Sequence, residues 1–421
     1  MRSLLLLALV ACTGGDDAPK DADDTAADAD TDTDADTDTD TDTDTDTDAD
    51  TDVETGTDDT GLPPVSIDSG YSGPTRVAFL VDGASGTGTD PSSVVLYDPV
   101  GGTSTTVSGL SVRSDSIIDC AGDSIFVLES RGGDGGTDHI LRVAPADGTY
   151  TEWALGSNFQ PRDIAAVGDA FWVAAWGKPR LLTYDAAGTA GAFVDLTDHA
   201  DSDGIPEANG IYYASPLAYV TVARQGQTDG TYSGARLLEL DADTKMVLRS
   251  IDLAGRFPSG KITQGGDSVH VHFASTAGAE GTVNADGGIE QVSVTDFTSA
   301  GLILDDSASG VTQTAAAFDP FSVTAWVAAL SSGGAPYVFA FSLFDGVQLQ
   351  QWPLASSLTG IGVAQGNVWL AENPFDGGSG AIVGRSPMDG TEAVRVAQSG
   401  RVRAMQVCVS GAPTGGEQTP E

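Results

Sequence analysis

The chain of 421 residues carries 61 acidic and 19 basic side chains, which gives a formal net charge of −42 at pH 7. A surface with this excess of negative charge repels phosphate backbones and anionic lipid headgroups, because neither finds the cationic cluster that it needs. The composition therefore argues against a nucleic-acid-binding protein, and we expect no nucleic-acid partner.

The first eleven residues have the features of an export signal. Arg2 is followed by the apolar run Leu4–Ala11, which is far shorter than the roughly 20 residues that span a bilayer. The segment Leu9-Val10-Ala11-Cys12 resembles the bacterial lipoprotein signal, in which cleavage occurs before a cysteine that is then lipidated. We predict a lipoprotein signal at residues 1–11 and lipidation of Cys12, with the protein held at the outer membrane or cell surface. The alternative is an ordinary secretory signal followed by a chance cysteine.

Residues 12–72 are predicted to be a disordered linker. Asp28–Asp52 is nearly an unbroken Thr-Asp alternation, and Thr13–Thr60 contains 21 acidic residues against a single lysine. Such a segment has no apolar surface to bury and cannot offset the entropy of ordering the chain. It would serve as a stalk between the membrane and a folded domain. The alternative role is weak binding of divalent cations, since calcium prefers carboxylate oxygens.

A repeat of about 48 residues follows the linker. An aromatic ring or an imidazole lies in the middle of seven short apolar runs, at spacings of 47, 46, 47, 51, 56 and 43 residues. These residues are Phe79, Phe126, Trp172, Tyr219, His270, Trp326 and Trp369. This period is typical of a β-propeller. We interpret the seven side chains as packing residues, one in each repeat.

Each repeat contains four short runs with alternating apolar residues, separated by turns rich in Gly and Asp, which predicts a four-stranded antiparallel blade. The fold class is therefore all-β, with a seven-bladed propeller at residues 73–410 and a flexible tail at 411–421. The fifth repeat is irregular because Ala274–Gly288 is rich in glycine. We expect an insertion in that blade, with an additional pair of strands as the alternative.

The two ends of the propeller are predicted to complete one blade. The first repeat begins at Arg76–Val81 without a preceding innermost strand, whereas Val402–Val409 resembles an innermost strand with nothing after it. Joining the two removes a free sheet edge that could otherwise promote aggregation.

Two cysteines remain once Cys12 is assigned to the signal. Cys120 and Cys408 are expected at the same point of the innermost strands of the first two blades. An exported protein enters an oxidising compartment, so the two could form a disulfide that locks the ring. The alternative is a pair of buried free thiols, because innermost strands of neighbouring blades can lie too far apart for a disulfide.

The densest cluster of carboxylates lies between the third and fourth repeats. Calcium is the metal that this cluster would bind, through Asp201, Asp203 and one or both of Asp198 and Glu207. The segment does not fit an EF-hand loop, because histidine and glycine occupy required ligand positions. A polar connection between blades is the alternative, and we favour it.

The histidines give a second possible metal site. His270 and His272 are two residues apart and would project from one face of a strand. Because His270 occupies the aromatic position of the repeat, we favour packing over metal binding. His139 and His199 lie in other blades, and the order of residues indicates no catalytic triad.

Parts of two repeats resemble known propellers. Gly366–Asn373 followed by Ala381–Gly390 resembles a blade of the virginiamycin B lyase-like propellers, in which a catalytic histidine and acidic metal ligands lie at the channel mouth. The fourth repeat, including Leu237–Asp241, is similar to the YVTN-type surface propellers. The order of signal, Asp-Thr tract and propeller resembles that of surface lipoproteins of myxobacteria, which implies a location and a fold.

Two functions remain open from the sequence. We favour a monomeric, lipid-anchored binding or scaffold module that holds an unknown protein or saccharide ligand through loops at one end of the channel. The alternative is a metal-dependent lyase or lactone hydrolase with its site at the channel mouth. Three or more converging carboxylates or imidazoles would favour the enzyme.

Overall fold

The structure is a computed structural model that describes residues 75–82, 92–113, 116–130, 136–225, 234–275, 284–319, 322–331 and 334–409. The predicted signal, linker and tail lie outside the described residues, and so does Cys12. Within these ranges, no helix has the length and apolar character needed to cross a membrane.

The described residues form 28 strands, numbered along the chain, in seven four-stranded antiparallel sheets. This confirms the predicted all-β fold of seven four-stranded blades. From the inside outward, blade 1 contains β28 (Val402–Val409), β1 (Thr75–Val81), β2 (Ser93–Asp98) and β3 (Thr103–Thr106). Blade 2 contains β4 (Ile117–Ala121), β5 (Ser124–Glu129), β6 (Asp138–Val143) and β7 (Tyr150–Gly156). Blade 3 contains β8 (Pro161–Val167), β9 (Ala170–Ala175), β10 (Arg180–Tyr184) and β11 (Val194–Asp195).

The remaining four blades follow the same order from the inside outward. Blade 4 contains β12 (Ala208–Ala214), β13 (Leu217–Val222), β14 (Ala235–Asp241) and β15 (Met246–Leu253). Blade 5 contains β16 (Pro258–Gly265), β17 (Ser268–Phe273), β18 (Gly288–Ser293) and β19 (Ser299–Asp305). Blade 6 contains β20 (Val311–Asp319), β21 (Thr324–Ser331), β22 (Pro336–Ser342) and β23 (Gln348–Pro353), preceded by the short helix α1 (Asp306–Ser309). Blade 7 contains β24 (Ser357–Ala364), β25 (Asn367–Asn373), β26 (Ala381–Arg385) and β27 (Glu392–Ala397).

The innermost strand of each blade lines the centre of the ring. Each innermost strand adjoins those of the two neighbouring blades, in the order β28, β4, β8, β12, β16, β20, β24 and back to β28. Because every blade has the same strand order, the seven inner strands run in the same direction. Their beginnings therefore meet at one end of the central channel, which we call the mouth.

The seven repeated side chains all lie on the second strand of their blade, and each is at most 1% exposed. They pack between sheets, as shown by Trp369 of blade 7, whose ring centroid lies 5.7 Å from that of Tyr97 in blade 1. Burial of a large ring at this position in every blade gives each sheet an apolar face for its neighbour.

The predicted splice between the chain ends is confirmed. Strand β28 pairs antiparallel with β1, with Met405 opposite Phe79 and Val407 opposite Val77. Val402 and Met405 also enter the apolar cluster shared by blades 1 and 7. The last strand therefore supplies the inner edge of the first blade.

The irregular fifth repeat forms a sheet with the same order as the others, β16-β17-β18-β19. Among the residues that the structure describes in this repeat, there is no additional pair of strands. The extra length lies in the connection from β17 to β18 and in α1, which agrees with an insertion rather than with further strands.

The prediction that the two cysteines occupy the same position of the repeat is wrong, because their repeat positions differ by two residues. Cys120 pairs with Ile125, one residue before Phe126, whereas Cys408 pairs with Arg76, three residues before Phe79. The structure nevertheless joins them in a disulfide, with Cα atoms 5.6 Å apart. Twist staggers the inner strands of adjacent blades, so residues at different repeat positions face each other.

Candidate functional site: the channel and its mouth

The central channel is crossed by a lysine. Lys261 lies on β16 of blade 5, and its Nζ donates a hydrogen bond of 3.0 Å to Oε1 of Gln406 on β28 of blade 1. Blades 5 and 1 are separated by two blades on one side and three on the other. The bond therefore spans the channel, and a ligand approaching from the mouth would meet this side chain.

Two carboxyl groups from adjacent blades lie together on the inner strands, and one of them, Asp163, interacts electrostatically with Lys261. Asp119 on β4 and Asp163 on β8 are 7% and 9% exposed. The backbone N–H of Ile211 donates to Oδ2 of Asp163 over 2.6 Å. Burial and the neighbouring Asp119 raise the pKa of Asp163 well above its usual range, while Lys261 and the Ile211 N–H act in the opposite direction. Asp163 therefore retains its proton at pH values where an exposed aspartate has lost it.

The inner strands carry bulges near the mouth. Register shifts interrupt the pairing of the first and second strands in blades 3 to 7, and a similar shift lies between Val402 and Ala404 in blade 1. A bulge reorients the side chain of the residue that has no cross-strand partner. The bulge residues are all polar or cationic apart from one glycine: Arg162, Asn209, Ser259, Gly260, Lys261, Thr314, Thr359 and Arg403.

Aromatic rings and cations meet on one side of the mouth. The rings of Trp176 and Phe257 make an edge contact with centroids 6.1 Å apart. The guanidinium of Arg162 lies 5.0 Å from the centroid of Trp176, and Nζ of Lys178 lies 5.2 Å from that of Phe159. We call these five residues the mouth cluster. All five residues are exposed or half-buried, and each cation is attracted to the face of the ring beside it.

Buried carboxylates hold the loops of the mouth cluster in place. Asp138 accepts hydrogen bonds from the backbone N–H groups of Phe159 and Gln160 over 2.7 and 2.9 Å. Glu290 accepts from the N–H groups of Ala254 and Gly255 over 2.8 and 3.1 Å. Both carboxylates are fully buried. They satisfy loop amides that would otherwise lack partners, so the mouth cluster is presented by fixed backbone.

The predicted calcium ligands are not assembled into a site. Asp201 accepts the N–H of Asp203 over 3.0 Å, and Asp203 accepts that of Ile205 over 2.8 Å. Glu207 is 2% exposed and accepts the N–H of Gln225 over 2.9 Å. Burial raises the pKa of Glu207 to about 8, so this carboxyl is largely protonated at neutral pH. Asp198 lies on a 3₁₀ turn, and in the described part of the chain no three acidic, histidine or cysteine side chains converge as metal ligands.

The two neighbouring histidines have separate partners. His270 Nε2 lies 2.8 Å from the carbonyl oxygen of Leu343 in blade 6, and His272 Nδ1 lies 2.7 Å from Oγ of Ser259. Burial lowers the pKa of His270 to about 4 and that of His272 to about 3. Both imidazoles are therefore neutral at physiological pH. His270 connects blade 5 to blade 6, whereas His272 contacts Ser259 within blade 5.

The residues that define this site were missed at the level of the sequence. None of Asp119, Asp163 and Lys261 was predicted as a site residue, although each is a charged residue on an inner strand. A charge on an inner strand is unusual, since burial without a partner is costly. The charges on these inner strands could therefore have identified Asp119 and Asp163 as candidate site residues. Nothing in the sequence around Trp176 or Phe257 indicates that they meet, because Trp176 belongs to blade 3 and Phe257 to blade 5.

The geometry defines the class of protein as a seven-bladed β-propeller with a polar channel and a cationic, aromatic mouth. The chain matches no protein-family model and no curated protein sequence. Its fold is similar to that of apo AztD from Citrobacter koseri, with 13% identity and a TM-score of 0.50 over 81% of this chain and 98% of that one.

Two putative 6-phosphogluconolactonases also have similar folds. The protein from Bacteroides uniformis has 10% identity and a TM-score of 0.54, covering 79% of this chain and 99% of that one. The protein from Bacteroides fragilis has 10% identity and a TM-score of 0.54, covering 81% and 99%. At this level of identity the similarity establishes the propeller fold alone.

Proposed function

We propose that the protein is a lipid-anchored binding module at the outer membrane or cell surface, and that a protein partner docks on the mouth cluster. The observation that carries this proposal is the contact of Arg162 with Trp176 and of Trp176 with Phe257. Trp and Arg dominate the energetics of protein interfaces when they lie together on a rigid surface. The loops that carry Phe159 and Phe257 are held by buried carboxylates, which lowers the entropy lost on binding.

The channel supports docking at the mouth rather than passage through the ring. Lys261 and Gln406 are bonded across the channel, so a partner would contact the rim residues first. Arg256 is exposed beside Phe257 and could pair with a carboxylate of the partner. An acidic group on the partner would also suit Arg162 and Lys178.

A photo-crosslinking residue placed at Arg256 tests this function in the cells that make the protein. We expect a discrete crosslinked product, and we expect Trp176→Ala to reduce its yield at least about tenfold, as for a central interface residue. The same crosslinker at Asp169, an exposed turn residue at the other end of the ring, should give no such product.

Phe193→Ala is the matched control for Trp176→Ala. Phe193 is 50% exposed and lies under Arg180, with 4.8 Å between the guanidinium and the ring centroid, but it belongs to the outer part of blade 3. We expect this variant to crosslink as well as the unmodified protein. Equal losses in both variants, or a product that contains only saccharide, would refute a protein partner at the mouth.

The anchor is tested separately through Cys12. We expect Cys12→Ser to release the protein from the membrane fraction, because the acyl chains would no longer be attached and each buried methylene contributes about 0.8 kcal/mol. Fractionation of cells followed by immunoblotting measures the change, with Cys408→Ser as the control that should stay with membranes. Continued membrane association of Cys12→Ser would contradict a lipoprotein.

An enzyme remains the second candidate, as a lyase or lactone hydrolase acting in the channel. The raised pKa of Asp163 beside Asp119 favours it, since two carboxyls that share a proton can provide an acid and a base. Lactone hydrolysis that is lost in Asp119→Asn and kept in Asp169→Asn would support this function. A rise in melting temperature on adding a divalent cation would support its metal-dependent form.

A further inference from the structure

A hydroxyl group and an imidazole meet where the inner strand of blade 5 begins. Oγ of Ser259 lies 2.7 Å from Nδ1 of His272. Ser259 belongs to the bulge of β16, where the register shifts between Pro258 and Ile262. Ser259 is half-buried, so part of its surface meets solvent at the mouth, whereas His272 on the second strand is fully buried.

The packing of the repeat does not explain His272. This residue lies two positions after His270, the repeated side chain of blade 5, on the same strand. The corresponding residues of the other six blades are all uncharged and have no ring: Val81, Leu128, Ala174, Thr221, Ala328 and Ala371. Burial of a polar ring is costly unless its nitrogens have partners, so the partners of His272 indicate what the ring does.

These partners determine which ring nitrogen carries the proton. The Gln313 side chain forms a hydrogen bond with His272 that raises the pKa of the imidazole, so Gln313 is the acceptor. Within the described part of the chain, Nε2 of His272 and Oε1 of Gln313 have no other partner. The Nε2–H therefore donates to Gln313, which leaves the lone pair of Nδ1 to accept the hydroxyl of Ser259.

Asp306 fixes the orientation of the Gln313 amide. Nε2 of Gln313 donates to Oδ1 of Asp306 over 2.6 Å, and the backbone N–H of Gln313 donates to Oδ2 over 2.9 Å. Both residues are fully buried. A reversed amide would place its oxygen against this carboxyl group, so Oε1 stays turned toward His272.

We propose that Ser259 is the nucleophile of an esterase site at the mouth, with His272 as its general base and Gln313 as the residue that orients His272, and that its substrates are small esters carrying a carboxylate. A hydroxyl bonded to a base that is itself oriented by a third group is the arrangement that activates a serine. The site uses neither the mouth cluster nor the Asp119–Asp163 pair, so it does not depend on the proposed partner.

The reaction proceeds in two balanced steps. Oγ of Ser259 attacks the ester carbonyl carbon while its proton passes to Nδ1 of His272, and the alcohol then leaves with that proton as its C–O bond breaks. Water next attacks the acyl-serine, gives a proton to Nδ1 and releases the acid, and the proton returns to Oγ. The backbone N–H of Lys261 lies 3.4 Å from Oγ, too far for a strong hydrogen bond, so it is available to the oxyanion.

Lys261 selects the class of ester. Burial and the positive charge of Lys261 lower the pKa of His272 to about 3, which makes the imidazole a weak base. A substrate carboxylate paired with Lys261 would offset the effect of that charge and make His272 more basic. Nζ of Lys261 donates one N–H to Gln406, and its other N–H groups can bind the carboxylate.

Labelling of the purified protein with a fluorophosphonate, followed by mass spectrometry of its peptides, tests the nucleophile. We expect an adduct on Ser259, formed as the P–F bond breaks and fluoride leaves. Ser259→Ala should abolish this adduct, and His272→Gln should slow its formation at least about 100-fold, a typical contribution of a general base. Ser357→Ala is the matched control and should label normally, because Ser357 begins the inner strand of blade 7 but donates to the carbonyl oxygen of Asn373 over 3.0 Å.

Hydrolysis of p-nitrophenyl esters tests the substrate class. We expect kcat/KM for the hemisuccinate to exceed that for the acetate about tenfold, since a hydrogen bond to a charged group is stronger than one between neutral groups. Lys261→Gln should remove this preference. Equal values for the two esters in the unmodified protein would overturn the role of Lys261.

Two results would overturn the nucleophile itself. The first is the absence of an adduct on Ser259 in the unmodified protein, which decides the question even if His272→Gln fails to fold. The second is labelling of a folded His272→Gln variant at the rate of the unmodified protein.

Discussion

Deletion of the chain from Arg401 onward is expected to yield an aggregated protein without a cooperative unfolding transition. The deletion removes β28, which pairs along the whole length of β1 and contributes Val402 and Met405 to the core between blades 1 and 7. It exposes the inner edge of β1 and opens the ring at two interfaces. An unpaired apolar edge of this kind promotes association between chains.

Two controls separate the strand from the other features removed with it. Deletion of residues 410–421 alone keeps β28 and should leave the melting temperature unchanged. The double variant Cys120→Ser, Cys408→Ser keeps the strand and removes only the disulfide. Its free energy of unfolding should fall by at most about 5–6 kcal/mol, the chain-entropy limit for a cysteine separation of 288 residues.

Size-exclusion chromatography and thermal unfolding distinguish these cases. A soluble, monomeric and cooperatively unfolding product of the deletion from Arg401 would show that β28 is dispensable. A double cysteine variant that behaves like the long deletion would assign the effect to the disulfide instead of the strand.

The second large effect concerns Asp163, and we expect it to make stability depend on pH. The pKa of Asp163 is raised in the folded protein by burial and by Asp119, whereas in the unfolded chain it is about 3.9. The folded state therefore binds the proton more tightly. The stabilisation that this tighter proton binding contributes is fully present below about pH 4 and is lost as the pH rises through the raised pKa of Asp163. The free energy of unfolding should therefore decrease between about pH 4 and that raised pKa.

Asp163→Asn should remove this dependence. The amide oxygen can still accept the Ile211 N–H, and the amide N–H can donate toward Asp119, but the group does not ionise. We expect the variant to match the unmodified protein near pH 4 and to exceed it in stability at alkaline pH. Asp163→Ala leaves the buried Ile211 N–H without its acceptor and should cost about 1–3 kcal/mol even at low pH.

Urea unfolding measured from pH 4 to pH 9 checks both variants, with Asp169→Asn as the exposed control that should leave the pH profile unchanged. A profile for Asp163→Asn that parallels that of the unmodified protein would show that Asp163 is not the group responsible. The expected difference in free energy of unfolding between Asp163→Asn and Asp163→Ala is the sharper criterion. It distinguishes the loss of a charge from the loss of a hydrogen-bond partner.

Some acidic residues of the domain accept hydrogen bonds from backbone N–H groups, at two kinds of position. Asp138 and Glu290 are buried and accept hydrogen bonds from loop amides near the mouth. Asp185 and Asp389 are exposed at turns and accept the N–H groups of Thr189 and Thr391, which lowers their pKa. Local backbone contacts thus give these four acidic residues a structural role.

The amino-acid sequence alone determined the architecture. Spacing of the rings from Phe79 to Trp369 predicted seven repeats, and strands of alternating apolar residues separated by Gly and Asp turns predicted the blades. The abrupt start at Arg76 and the final run Val402–Val409 predicted the splice. These features were predictable because a blade is built from contacts between neighbouring segments, so its pattern is written within about 48 consecutive residues.

The tertiary structure alone decided where the functional groups meet. Closure of the ring brings Asp119 to Asp163 and Lys261 to Gln406, and loop packing brings Trp176 to Phe257. The stagger of inner strands decides which positions face each other, so Cys120 meets Cys408 two positions out of repeat register. Asp201, Asp203 and Glu207 are close in sequence, yet each accepts from a different backbone N–H group. Periodicity fixes the order of strands, whereas side-chain proximity across blades depends on twist, bulges and closure, which no local pattern records.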